Sequence, residues 1–194
     1  MTRKVDVQES LRQSSAVLWR LATDRGFHRK IEKAAERCVQ AIRRGGKILS
    51  FGNGGSAADA QHFACELVGR FERERRALPV LSLNTNVSVL TSVGNDYGFE
   101  RLFERQIEAL GRRGDVVLAI STSGKSENVN RALKLAGRMG LYRIGLTGRS
   151  GGPMARLVEL ELRIPPTTTP HTQEAHIAII HILCDLIESA VAKR

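Results

Sequence analysis

From residue 47 onward the chain alternates between short, continuous apolar runs and amphipathic helical stretches, and this alternation leaves few folds open. Strands are predicted over 47–51, 79–83, 115–120, 142–147 and 157–164. Helices are predicted over 57–70, 99–110, 126–139 and 173–192, with a helical turn over 87–93. The strands are apolar throughout rather than on alternate residues, as in strands buried on both faces. Strands of that kind, separated by helices, make a parallel sheet covered on either side. The expected architecture is a three-layer α/β/α sandwich around a parallel sheet of about five strands. Residues 7–44 read as helix, with Leu11, Val17, Leu18 and Leu21 in one apolar set and Ile31, Ala34, Ala35, Cys38 and Ile42 in another. Asp24-Arg-Gly26 divides the two helices, and Gly45-Gly46 ends the second. A single domain over 1–194 is expected, with an N-terminal helical pair (1–45) ahead of an α/β core (46–194).

Two segments sit where such a sheet binds ligands. Phe51-Gly-Asn-Gly-Gly-Ser56 and Ser121-Thr-Ser-Gly-Lys-Ser126 each follow a strand-like run and open a helix. Glycine there allows close backbone approach, free N–H groups and the helix dipole favour an anion, and the hydroxyls add donors. Ligands of open α/β sheets lie at the carboxyl ends of the strands, near a switch in strand order. A phosphate is the expected guest, with plain turn chemistry as the alternative. A nucleotide site is disfavoured, because Gly52-Asn-Gly-Gly55 lacks GxGxxG spacing and Ser123-Gly-Lys-Ser126 lacks the upstream glycine of a P-loop.

Other classes are also disfavoured. The net charge of +10 is spread along the chain, aromatic residues make up only 5%, and the densest basic cluster, Arg70–Arg76, contains its own glutamates. That pattern suits a solvated surface with some attraction for anionic metabolites better than a nucleic-acid face. Cys38, Cys65 and Cys184 are far apart and form no CxxC pair, as expected of reduced thiols in the cytoplasm. The N-terminal residues lack the apolar core of a signal peptide, and no apolar stretch is expected to approach the roughly 20 residues that span a membrane.

His62 and Glu66 lie at i and i+4 on the helix after the first glycine loop, so an imidazole and a carboxylate share one face. They suit a shared metal or a shared proton, or they are an incidental surface pair. The last helix carries Gln173, Glu174, His176 and His181 on or beside an apolar face, where a histidine can equally be a hydrogen-bonded core residue. Gln173 and His181 stand eight residues apart, about 12 Å along a straight helix. A single site using both would have a subunit boundary running through it, unless Gln173 lies in the preceding turn.

Taken together, Gly52-Asn-Gly-Gly-Ser-Ala-Ala-Asp-Ala-Gln-His62, Val93-Gly-Asn-Asp96, Ser121-Thr-Ser-Gly-Lys-Ser-Glu-Asn128, Leu146-Thr-Gly148, Gln173-Glu-Ala-His176 and His181-Ile-Leu-Cys-Asp185 resemble the phosphoheptose isomerases of the sugar-isomerase (SIS) family. The similarity runs from about residue 45 to 188. The resemblance implies a cytoplasmic aldose–ketose isomerase. Its reaction converts sedoheptulose 7-phosphate to D-glycero-D-manno-heptose 7-phosphate in bacterial heptose and lipopolysaccharide biosynthesis. It further implies that Ser121, Thr122, Ser123 and Ser126 hold the phosphate. Asn53, Gly54, Gly55, Ser56, Asp96 and Gln173 would hold the rest of the sugar. One Zn²⁺ per subunit would be bound by His62, Glu66, Gln173 and His181, and the assembly would be a homotetramer with sites between subunits. Glu66 and His181 are the implied proton-transfer pair. An enediol route needs a carbon base and an acid or metal at the oxygens. Glu66 suits the first role and His181 the second, although the two can exchange.

The segment Thr167-Thr-Thr-Pro-His-Thr172 departs from the family pattern, which has an Ile before the Gln-Glu pair and often an acid upstream. Thr172 and His171 therefore bear on which sugar is held. The competing expectation is a non-catalytic regulator on the same fold that binds the replication initiator DnaA. The joint presence of His62, Glu66, Gln173 and His181 with the full hydroxyl loop favours the enzyme. A sugar-sensing transcription factor would need a DNA-binding segment, which the N-terminal helices do not resemble.

Overall fold

The structure is a computed structural model that describes residues 6–192. Residues 1–5, on which part of the signal-peptide argument rests, and residues 193–194 lie outside the described residues. The N-terminal pair is set by two aspartates. Asp6 caps α1 (Val7–Thr23) by accepting from Glu9 N–H at 3.1 Å. Asp24 both ends α1 and caps α2 (Arg25–Arg43), accepting from Phe27 N–H at 3.0 Å. One residue thus makes the whole break between two helices.

The core follows as β1 (Ile48–Gly52), α3 (Gly55–Val68), β2 (Val80–Ser82), α4 (Val87–Tyr97), α5 (Leu102–Leu110), β3 (Val116–Ser121), α6 (Glu127–Met139), β4 (Tyr142–Thr147), β5 (Leu160–Arg163) and α7 (Thr169–Ala192). The sheet order is β2-β1-β3-β4-β5, and every pairing is parallel. Strand side chains alternate between two apolar cores. Ile48, Val116, Leu118, Ile120, Ile144 and Leu146 face α1, α2, α3 and α7. Leu49, Phe51, Val117 and Ala119 face α4, α5 and α6. Both strand faces are therefore buried, which is why the sequence shows continuous apolar runs. From β1 the chain moves outward to β2, then crosses back to β3 on the other side. The switch point lies between β1 and β3, where both glycine loops emerge.

Several boundaries differ from the sequence expectation, three of them for a plain physical reason. Helix α4 continues four residues past the predicted turn to Gly98, whose φ of +87° stops it. β5 is confined to four residues because a 3₁₀ turn over Pro153–Arg156 occupies the approach to it. Helix α7 begins at Thr169 rather than at 173, because Pro170 falls in the first helical turn, where a missing N–H costs nothing. By length and composition α7, at 24 residues, is sufficient to cross a membrane, which corrects the sequence expectation. Here Ala175, Ile179, Ile180, Leu183, Cys184 and Ile187 of this helix are buried in the core it shares with α2 and α3.

Candidate active site

The two loops at the switch point are built differently. In the Ser121–Ser126 loop the hydroxyls bond within the loop. Ser121 Oγ lies 3.1 Å from Ser126 Oγ and accepts from Gly124 N–H at 3.1 Å, and Ser123 Oγ accepts from Lys125 N–H at 3.2 Å. Ser126 caps α6 without a side-chain bond to it, so first-turn N–H groups of α6 open onto the loop. Gly124 has φ of +63°, and a Cβ there would strike the backbone of Gly151, so glycine is required on both counts. Thr122 and Ser123 are half-buried at the rim. The arrangement is a cradle of hydroxyls and N–H donors of the kind that an anion requires.

The first loop turns from β1 into α3 through Asn53 and Gly54. Asn53 and Asn128 exchange two amide hydrogen bonds of 2.8 and 2.9 Å across the switch point. Ser56 is buried at the start of α3. A Cβ on Gly55 would collide with the side-chain amide of Gln173, which lies across it, so this glycine admits a residue from the last helix. Gln173 sits inside α7, not in a preceding turn. Asp96 stands at the exposed end of α4, where its carboxylate accepts from Asn95 Nδ2 at 2.7 Å.

Helices α3 and α7 run in the same direction, with Gly55 beside Gln173 and, further along, His62 beside His181. The Nε2 atoms of His62 and His181 are 2.9 Å apart, and His62 Nε2 lies 3.5 Å from Glu66 Oε1. Two imidazole nitrogens at that distance cannot both present lone pairs, so a proton or another cation must lie between them. Phe71 closes one side, its ring centroid 5.8 Å from that of His181. One turn earlier on the same face is Asp59, which the sequence reading missed. Its Oδ2 is buried without a hydrogen-bond partner, and burial pushes its carboxyl up to about 6 against the opposing pull of His62. The only sequence signal for it was its i, i+3 relation to His62.

Within one chain, then, His62, Glu66 and His181 come together, and Gln173 stands about 12 Å up the helix. Among the described residues no three His, Cys, Asp or Glu side chains already stand arranged to hold a metal. The donor set nevertheless fits zinc. Tetrahedral ligands at Zn–N of about 2.0–2.1 Å lie about 3.3 Å apart, a value the 2.9 and 3.5 Å separations bracket.

The remaining polar groups of α7 are structural. His176 is fully buried, and its Nε2–H donates to the Thr147 carbonyl at 3.1 Å. Its Nδ1 has no partner, and burial lowers its pKa to about 4, partly opposed by the Thr147 bond. His171 Nδ1 is 3.1 Å from Ser14 Oγ and 3.0 Å from Glu174 Oε2, which ties α1 to α7. Thr172 is buried, and its methyl lies where a Cβ on Gly148 would sit.

Residues 11–148 match the family described as the SIS domain. The chain is 58% identical over 157 residues to the phosphoheptose isomerase of Pelobacter propionicus, covering 81% of this chain and 83% of that protein. It is 52% identical over 183 residues to the phosphoheptose isomerase of Geobacter sulfurreducens, covering 94% and 96%. The solved structure of phosphoheptose isomerase GmhA from Neisseria gonorrhoeae superposes with a TM-score of 0.88 at 42% identity, covering 94% of this chain and 97% of that one.

Proposed function

This chain belongs to the SIS-domain family, and within it to the phosphoheptose isomerases, and from that premise we propose how its residues divide the work. The enzyme is an aldose–ketose isomerase that converts sedoheptulose 7-phosphate to D-glycero-D-manno-heptose 7-phosphate, a step of heptose biosynthesis. The regulator alternative gains no support from relatives that are named as isomerases.

The observation that carries the assignment of roles is the convergence of Glu66, His62 and His181 on one seam between α3 and α7, beyond the loops at the switch point. Ser121, Thr122, Ser123 and Ser126 bind the phosphate with the first N–H groups of α6. Asn53, Gly54, Gly55 and Ser56 meet the sugar hydroxyls. Glu66 removes the proton from C1 of the ketose while His181 supplies a proton to the C2 carbonyl oxygen; Glu66 then returns a proton to C2 of the enediol as the C1 hydroxyl gives up its proton to His181, which leaves the C1 aldehyde and restores both residues. His62 contacts both partners and holds the proton balance between them.

Zn²⁺ bound by His62, Glu66 and His181 would supply Lewis-acid support for charge on the substrate oxygens. Gln173 reaches such a site only from a second subunit, because its own chain holds it over Gly55. Asp96 likewise meets substrate from a neighbouring copy. A homotetramer with shared sites, using the helices before residue 45 for assembly, accommodates both residues. We place the enzyme in the cytoplasm, with its phosphorylated substrate.

Proton NMR of the purified protein with sedoheptulose 7-phosphate in deuterated water, with and without added zinc, tests the reaction. An aldose phosphate carrying deuterium at C2 is expected. Folded protein that gives no product under either condition would overturn the assignment.

A further inference from the structure

Asn128, the second residue of α6, is 2% exposed and belongs to neither loop, yet it joins them. Its Oδ1 accepts from Val129 N–H at 2.9 Å and from Asn53 Nδ2 at 2.8 Å, while its Nδ2 donates to Asn53 Oδ1 at 2.9 Å. Two paired amides have a built-in ambiguity, since turning both over together restores both bonds. The Val129 N–H removes it: a turned-over Asn128 would point an NH₂ group at a donor. An oxygen is therefore required at that position, and the amide of Asn53 is oriented in consequence.

The other side of the turn is held as firmly. Asn84 Nδ2 donates to the Gly52 carbonyl at 2.9 Å, and its Oδ1 accepts from Gly52 N–H at 3.2 Å. The residue before Asn53 is thus held by Asn84, and the Asn53 amide by Asn128. One N–H and one lone pair of the half-buried Asn53 side chain remain for a ligand.

We infer that Asn128 is a positioning residue for the isomerase reaction: it sets which way the Asn53 amide faces and fixes the span between the sugar-hydroxyl segment and the phosphate loop. The inference rests on the isomerase reading above. It accounts for a buried side chain that spends every one of its bonds on another residue's orientation and on one helix N–H. An aspartate at 128 would still accept from Val129 and from Asn53, but its second oxygen would face Asn53 Oδ1.

Asn128→Asp should lower kcat/KM for sedoheptulose 7-phosphate by about 10- to 100-fold, the scale of one buried hydrogen bond replaced by a repulsive contact. Inhibition by inorganic phosphate, which engages the other loop, should change less than about twofold. In a double-mutant cycle, Asn128→Ala should add little to Asn53→Ala, because the first acts through the second. The side-chain amide signals of Asn53 give a readout that needs no turnover. Well-separated, slowly exchanging protons in the unsubstituted chain should collapse and exchange freely in Asn128→Ala, or in Asn128→Asp if the alanine variant does not fold. Losses that multiply in the cycle, or Asn53 amide signals unchanged in a folded variant, would overturn the inference. An unsubstituted chain without turnover would instead overturn the isomerase reading, and the amide signals would still decide the role of Asn128.

Discussion

The seam between α3 and α7 carries polar groups in its middle and beyond one end, and the two places follow opposite principles. Beyond the end of α3, Glu188 is fully buried and accepts from the N–H groups of Phe71, Glu72 and Arg73 at 2.8–2.9 Å, with Arg75 Nε at 3.1 Å from its other side. Burial alone would push this carboxyl up, but the three backbone donors and the guanidinium outweigh it and hold the group below the usual carboxylate range. In the middle of the seam the accounting is incomplete. His62 and His181 face each other nitrogen to nitrogen, Glu66 is partly exposed, and a buried oxygen of Asp59 has no partner. A carboxylate held by three backbone donors and an ion pair anchors a loop and exchanges nothing. Groups with unfinished bonding can pass a proton or take a cation, so the site sits where the seam is least satisfied.

The sharpest way to break this contrast is to substitute the unfinished groups. Glu66→Gln and His181→Ala should each reduce turnover by about 10³-fold or more while the melting temperature stays within a few degrees. Near-normal rates in either variant would remove the proton-transfer roles. At the anchoring end the outcome should invert. Glu188→Ala strands three N–H groups and a guanidinium and should cost about 3–5 kcal/mol in denaturant titration, with chemistry affected only through unfolding.

His176 lies between these cases, buried but served on one nitrogen only. Its folded pKa of about 4 lies below the unfolded value of 6.5, so between those values the unfolded chain takes up a proton that the folded chain refuses. Stability should be flat above about pH 6.5 and fall by about 3 kcal/mol as the pH drops to about 4. Chemical denaturation across that range should show the slope, and His176→Gln should flatten it. The Glu188 contribution has the opposite origin, a depressed carboxyl, and is lost only at still lower pH, below the ordinary carboxylate value. The smallest effect belongs to Arg73, whose pair with Asp185 at 2.7 Å is about half exposed on both sides. Arg73→Ala should leave the denaturation midpoint nearly unchanged, and a clear loss would show that the anchor depends on its outer ion pair as well as on Glu188.

Much of the fold was legible in the residues. Apolar runs at 47–51, 115–120 and 142–147 announced strands buried on both faces, and Asp24 and Gly45 marked helix ends through capping and a positive φ that local chemistry dictates. The start of α7 was not legible, because Pro170 reads as a breaker until its place in the first turn is known. The site was legible in part. His62 and Glu66 share a helix, so their proximity follows from i, i+4 spacing. Asp59 was missed because nothing in a sequence says that a carboxylate one turn away is buried without a partner.

By itself the sequence determined the order of elements, the two glycine- and hydroxyl-rich loops at strand ends and the residue types able to move a proton, since each depends on spacings of a few residues. Only the tertiary structure decided that α3 and α7 run side by side in register. That alignment sets His181 against His62 and leaves Gln173 over Gly55. It also decided that Asn53 and Asn128, 75 positions apart, exchange amide bonds. The reason is physical: these contacts depend on how the sheet order reverses at β1 and β3 and on how two helices pack against it. Such long-range geometry is set by the burial of whole faces, and no local pattern records it.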